Sequence, residues 1–163
     1  MHDAGQWHAE LLDISATAMF SGPMPRRMLA SILWLALLCW ACGILWLSSL
    51  SPQQLPDAAF LVWDKINHFI AFAIGGWLAA SALRASRPLA AIAGRIILAV
   101  ILIAAFGALD EWMQTFAAGR AGHDIHDWMA DFLGAVTGAL LSLATHSRLE
   151  RHLLRRVCDQ RSE

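Results

Sequence analysis

Six acidic side chains, one lysine, one arginine and several histidines stand where the chain is otherwise apolar or about to become so. Asp110 and Glu111 are adjacent and interrupt a long hydrophobic run, with Gln114 one turn further on. Asp127 and Asp131 are spaced i, i+4, which stacks both carboxylates on one side of a helix. Asp64 and His68 have the same spacing, with Lys65 beside them. Arg120, His123, Asp124 and His126 fill the stretch between these groups. Carboxylates and an imidazole in one place can hold a divalent cation, act as general acid and base, or accept hydrogen bonds from sugar hydroxyls and amines. Lysine and arginine can hold a phosphate. The chain has no H-E-x-x-H pair, no cysteine-rich metal spacing and no G-x-S-x-G nucleophile, so no standard hydrolase signature chooses among these chemistries.

Plainer roles stand beside these. Asp64, Asp124 and Asp127 are suited to the opening turn of a helix. Lys65 and Arg120 can simply neutralise neighbouring acids, and His123 and His126 can be solvated loop residues. Asp110, Glu111 and Asp131 are harder to explain that way. Each lies within an apolar segment, and an ionised group at bilayer depth costs about 2.5–3.5 kcal/mol or more unless it is paired or wetted.

The elements that must position these groups are membrane helices. Hydrophobic residues make up 58% of the 163-residue chain and charged residues 15%, against about 45–50% and about 25% in soluble domains. The excess falls in four runs, 28–47, 66–83, 96–117 and 128–145, each near the length of about 17–25 residues that spans a bilayer. A cleaved leader competes for the first run, with Arg26 and Arg27 as its basic start. That run is longer than the apolar stretch of about 7–15 residues in a leader, and no small-residue cleavage site or lipobox precedes Cys42, so it is assigned as an anchor. The fold expected is all-α, an integral membrane four-helix bundle, with residues 24–147 as the membrane domain. Residues 1–23 are assigned to a tail, or to sequence upstream of a start at Met24. Residues 148–163 form a basic tail.

Charge sets the expected orientation. Ten of the twelve basic residues lie before the first run, between the second and third, or after the fourth, whereas Lys65 and Arg120 alone fall on the other side. The basic side is the cytoplasmic side, so both termini are expected there. Trp46, Trp63, Trp112 and Trp128 then lie near the outer boundary as an aromatic belt. Taking Arg95 as the inner edge of the third helix, Asp110 lies about 22 Å along a core about 30 Å thick. His68 and Asp131 lie one turn inside their helix starts, so three helices bring polar groups to a similar depth below the outer face. Small residues share their sides: Gly134 and Gly138 with Asp127 and Asp131; Ala71, Gly75, Ala79 and Ala82 with His68; Ala104 and Gly107 with Asp110 or Glu111. The polar groups therefore point into the bundle. Cys39, Cys42 and Cys158 show no redox or metal spacing, and a net charge of −1 gives no reason to expect a nucleic-acid partner.

The motifs together resemble those of VanZ-like membrane proteins. Asp64-Lys65-Ile66-Asn67-His68-Phe69 is similar to that family's D-K-x-x-H-F, and Asp110-Glu111-Trp112-Met113-Gln114-Thr115-Phe116 to its D-E-x-x-Q-x-F. Gly119-Arg120 followed by Asp127, Asp131 and Gly134 resembles its G-R…D-x-x-x-N-x-x-G, and Ser48-Ser49 also fits. Phe72 stands where the family often has Tyr, Ala118 where Pro is frequent, and Asp131 where Asn is common; the last change adds a negative charge and favours a cation or proton. The resemblance implies a multi-pass protein of the bacterial cytoplasmic membrane, linked to the cell envelope and to teicoplanin resistance. The expected partner is a membrane lipid, glycolipid headgroup or envelope precursor, bound by Asp64, Lys65, His68, Asp110, Glu111, Gln114, Arg120, Asp127 and Asp131. An enzyme acting on a lipid-linked substrate is the alternative. A proton or ion carrier is a third reading, for which the single cluster offers no path across a four-helix chain unless it forms a homo-oligomer. No cofactor or metal is specified.

Overall fold

Each apolar run is the centre of one helix in the computed structural model, which describes residues 26–54, 64–87, 90–119 and 124–160, with side chains as far as residue 146. Helix α1 covers Arg26–Ser48, α2 Asp64–Ser86, α3 Ile92–Gln114 and α4 Ile125–Gln160, and the described residues include no strand. In hydrocarbon the backbone must satisfy its own hydrogen bonds, and the helix does this within one segment. The 23 residues of α1, α2 and α3 each give about 34 Å of length, enough for a core about 30 Å thick. Residues Ile125–His146 of α4 form the fourth helix long and apolar enough to cross a membrane.

The helix ends depart from the apolar runs in every helix. Helices α1 and α2 extend into polar flanks, because hydrogen bonding continues where hydropathy stops. Helix α3 ends earlier than 117: the N–H groups of Thr115, Phe116 and Ala117 reach the carbonyls of Trp112, Met113 and Gln114 at 3.1–3.2 Å, the tighter i→i+3 winding of a closing turn. Helix α4 runs beyond its apolar segment to Gln160. The stretch 147–160 is rich in Leu and Arg, which are good helix formers outside the bilayer as well.

Helices α1 and α3 run towards the end of the bundle at which α2 and α4 begin. Helices α2 and α4 are therefore parallel, and this pair makes the most extensive contact in the molecule. A Cβ on Gly134 would collide with the carbonyl oxygen of Phe69, and one on Gly138 with that of Ala73. The small residues thus allow backbone-to-backbone packing where lipid supplies no hydrophobic pressure. Helix α3 packs on α2 and α4. Helix α1 packs on α2 and more lightly on α3, and makes no packing contact with α4.

The core is built mainly of alanines, with Phe72, Leu83 and Ile103. Trp40 anchors α1: its ring meets Phe72 edge-on at 5.5 Å, and its indole N–H donates to the Ala71 carbonyl at 3.0 Å. The outward faces are apolar, with Leu35, Leu38, Ile97, Ile101, Leu133 and Leu140 all exposed, as lipid contact requires. Cys39 and Cys42 are free and lie exposed on α1. Arg26, Arg84 and Arg95 lie near one another at the end opposite the acids.

Candidate functional site

Two parallel helices starting at the same level form a ladder of paired groups. In the first turns of α2 and α4, Lys65 faces Asp127 and pairs with it. The same ammonium donates to Asp124 Oδ2 at 2.8 Å. One turn deeper, His68 Nδ1 lies 2.9 Å from Asp131 Oδ1. The i, i+4 spacing of Asp127 and Asp131 and the i, i+3 spacing of Lys65 and His68 bring the two rungs into register. His68 also stacks on Phe72 at 6.4 Å, with the rings 10° from parallel. An apolar ring thus lies beneath the imidazole.

Helix α3 closes the site from the side. Asp110 accepts from Ser48 Oγ at 2.5 Å through Oδ1 and from Gln114 Nε2 at 3.1 Å through Oδ2. Glu111 Oε2 accepts from the backbone N–H of Asp124 at 2.9 Å. Both adjacent acids of α3 are buried, although they project about 100° apart. The end of α3 is wedged between α1, which reaches Asp110 through Ser48, and the start of α4, which reaches Glu111 through Asp124.

Exposure falls steeply from rim to floor. Asp64 is exposed and Lys65 and Asp124 are partly exposed, whereas Asp127 is 7%, Glu111 4%, Asp110 1% and Asp131 0% exposed. Two of the deepest oxygens, Glu111 Oε1 and Asp131 Oδ2, have no hydrogen-bond donor. Asp131 Oδ2 lies against Gly107, where a Cβ would come within 2.9 Å of it. At the rim, the Lys65 ammonium and then the backbone N–H of His126 hold the Asp124 carboxyl well below the usual carboxylate range. The bond from the His126 N–H, at 2.8 Å, also makes Asp124 the residue that opens α4.

The site is rich in ligand atoms for a cation. One atom each from His68, Asp110 and Glu111 forms a trio in which every pair lies within 4.8 Å, and Asp64, His68 and Asp127 form a second such trio. Six carboxylates, from Asp64, Asp110, Glu111, Asp124, Asp127 and Asp131, lie at this end of the bundle, and Lys65 pairs with Asp124 and Asp127.

Eight of the nine residues expected at the site, Asp64, Lys65, His68, Asp110, Glu111, Gln114, Asp127 and Asp131, meet at this end of the bundle. Arg120 and His123 lie outside the described residues, as do Trp63 and residues 1–23. Sequence reasoning left three participants off the site. Ser48 fits the family pattern but follows directly on an apolar run, at the end of α1, where a polar residue is ordinary. Asp124 reads as a capping acid, which it is, while also joining Lys65 to Glu111. Phe72 is noted in the sequence only as a departure from the family pattern; its place four residues after His68, on the same helix face, is the signal that could have put it at the site.

The arrangement is that of a small all-helical, multi-pass membrane protein with a buried acid–imidazole site at one end of its bundle. The chain belongs to the VanZ/LLP1 family, whose model matches residues 29–146. No curated protein and no solved structure matches it.

Proposed function

We propose that the protein works in the bacterial cytoplasmic membrane, with both termini in the cytoplasm, and binds the polar headgroup of a lipid, glycolipid or lipid-linked envelope precursor at the outer end of its bundle. The observation that carries this reading is the gradient of exposure, from an open rim at Asp64 to acceptor oxygens without donors at the floor. Such a recess suits a group that enters from the interface and brings its own hydrogen-bond donors. Buried acceptors gain most from a donor that replaces the water they have lost. Lys65 already has two carboxylate partners, so sugar hydroxyls or an ammonium fit the recess better than a phosphate held by Lys65 alone. Arg120 remains the candidate for contact with a phosphate at the rim. Family likeness extends the reading to the cell envelope and to teicoplanin resistance.

A second reading, an enzyme acting on a lipid-linked substrate, is favoured by the His68–Asp131 pair. A carboxylate that orients an imidazole is the usual support for a general base.

Native mass spectrometry of the protein released from lipid nanodiscs tests the binding reading. Wild type is expected to retain a headgroup-bearing lipid that Asp131→Ala and Glu111→Gln lose. A wild-type chain with no retained lipid, or equal retention in both variants, would overturn it.

A further inference from the structure

We infer that His68, Asp110 and Glu111 form a binding site for one divalent transition cation, with Asp131 as the residue that positions the imidazole. The inference concerns a metal and does not depend on which headgroup, if any, enters the recess.

The three residues come from two helices fixed by separate contacts, and their ligand atoms lie within 4.8 Å of one another. Ligands about 2.0–2.2 Å from a single tetrahedral ion are separated by about 3.5 Å, so small side-chain adjustments suffice. The ligand chemistry agrees. Two carboxylates balance the charge of a divalent ion. One imidazole with two carboxylates and no thiolate suits Mn²⁺, Fe²⁺ or Zn²⁺ better than Cu⁺. Three protein ligands leave a position open for a further oxygen, as in catalytic rather than structural zinc sites.

The surrounding contacts are those of a supported metal site. Asp131 engages Nδ1 of His68, leaving Nε2 as the nitrogen for the ion. A carboxylate on the far nitrogen fixes the tautomer and orientation of a metal-ligating histidine. Ser48 and Gln114 each bond one oxygen of Asp110 and orient its carboxylate. Glu111 supplies an independent observation. Its Oε2 is held by the Asp124 N–H, while Oε1 is buried and has no donor. A buried carboxylate oxygen in that state lacks a partner, and an ion beside His68 and Asp110 would provide one. The outer trio is a poorer site, because Asp127 is already paired with Lys65 and Asp64 is exposed.

The test uses the full chain in nanodiscs, stripped with a chelator and titrated with Mn²⁺ as the only added metal. Loss of the free-ion EPR signal measures binding, and pulsed EPR detects a directly coordinated ¹⁴N. One Mn²⁺ per chain is expected, with ¹⁴N coupling in the wild type. His68→Gln and Glu111→Gln should weaken binding by at least about tenfold. Asp131→Asn should weaken it by about 10–100-fold, the usual effect of removing a supporting partner, while the ¹⁴N coupling persists. Absence of bound Mn²⁺ in the wild type would overturn the proposal, as would bound Mn²⁺ without ¹⁴N coupling. Unchanged binding in Glu111→Gln together with loss in Asp64→Asn would also overturn it, by moving the ion to the outer trio. The ¹⁴N measurement is made on wild type, so the proposal stays falsifiable even if a variant fails to fold.

Discussion

Asp131 is fully buried, with one oxygen on His68 and the other without a donor. Two substitutions separate its charge from its shape. Asp131→Asn keeps an oxygen for the imidazole N–H and removes the charge, so the protein should fold with a melting midpoint no lower than wild type. Asp131→Ala leaves the His68 N–H without its partner in a partly buried setting, which costs up to about 1–3 kcal/mol, and should lower the midpoint in detergent. Equal midpoints for the two variants would show that His68 does not depend on this partner. Asp124 offers a pH test at the rim. Its folded carboxyl is held below the unfolded value of about 3.9 by Lys65 and the His126 N–H. The stabilisation is therefore complete above pH ~4 and is lost as pH falls through the lower folded value. Asp124→Asn should be less stable than wild type at pH 6, and the gap should close progressively below pH ~4. A constant gap over that range would count against the link. Asp110, Glu111 and Asp131 could be located from the sequence because acids in apolar runs have few innocent explanations. Ser48 and Asp124 are visible in the sequence but their roles are not, because polar residues at helix ends are common and only the assembled bundle gives them partners.

Which helices become neighbours is decided by close backbone approach. Periodicity along the sequence identifies the small-residue faces of α2, α3 and α4, but a face does not name its partner. That α2 and α4 are parallel follows from four alternating crossings. That they form the tightest pair depends on Gly134 and Gly138 fitting against the carbonyls of Phe69 and Ala73, which no single-helix pattern contains. The choice between Asp110 and Glu111 as the inward residue has the same origin: α1 supplies Ser48 and the start of α4 supplies Asp124, so both acids are enclosed. Packing also makes a test. Gly138→Val inserts a branched side chain where no Cβ fits. Overpacking of this kind costs about 1–3 kcal/mol, and here it would force apart the helices carrying Lys65 and Asp127. Leu140→Val, on an exposed apolar position of the same helix, should have little effect. The check is thermal unfolding of both variants in the same detergent. A Gly138→Val protein as stable as Leu140→Val would mean that the α2–α4 contact is looser than described.

On the scale of the whole molecule, the two ends of the bundle differ in charge in a way that bears on insertion. One end carries Arg26, Arg84 and Arg95 close together, and the other carries the acidic site with Lys65 as its only described basic residue. Basic residues resist translocation, so the Arg-rich end is expected in the cytoplasm and the acidic recess on the outer side. Trp46 and Trp112, both exposed near the acidic end, fit the interfacial level on that side. Helix α4 ends beyond the Arg-rich end, and the sequence from 148 to 163 adds five more arginines, so the C-terminal segment carries a strong retention signal of its own. A fluorescent protein fused after residue 163 should therefore be bright, and alkaline phosphatase fused there inactive. A phosphatase fusion in the loop between α1 and α2, following residue 54, should be active. The reverse pattern at both positions would invert the bundle and turn the recess towards the cytoplasm, removing any access to an outer-leaflet headgroup. An active phosphatase at both positions would instead mean that one of the four helices does not cross the bilayer.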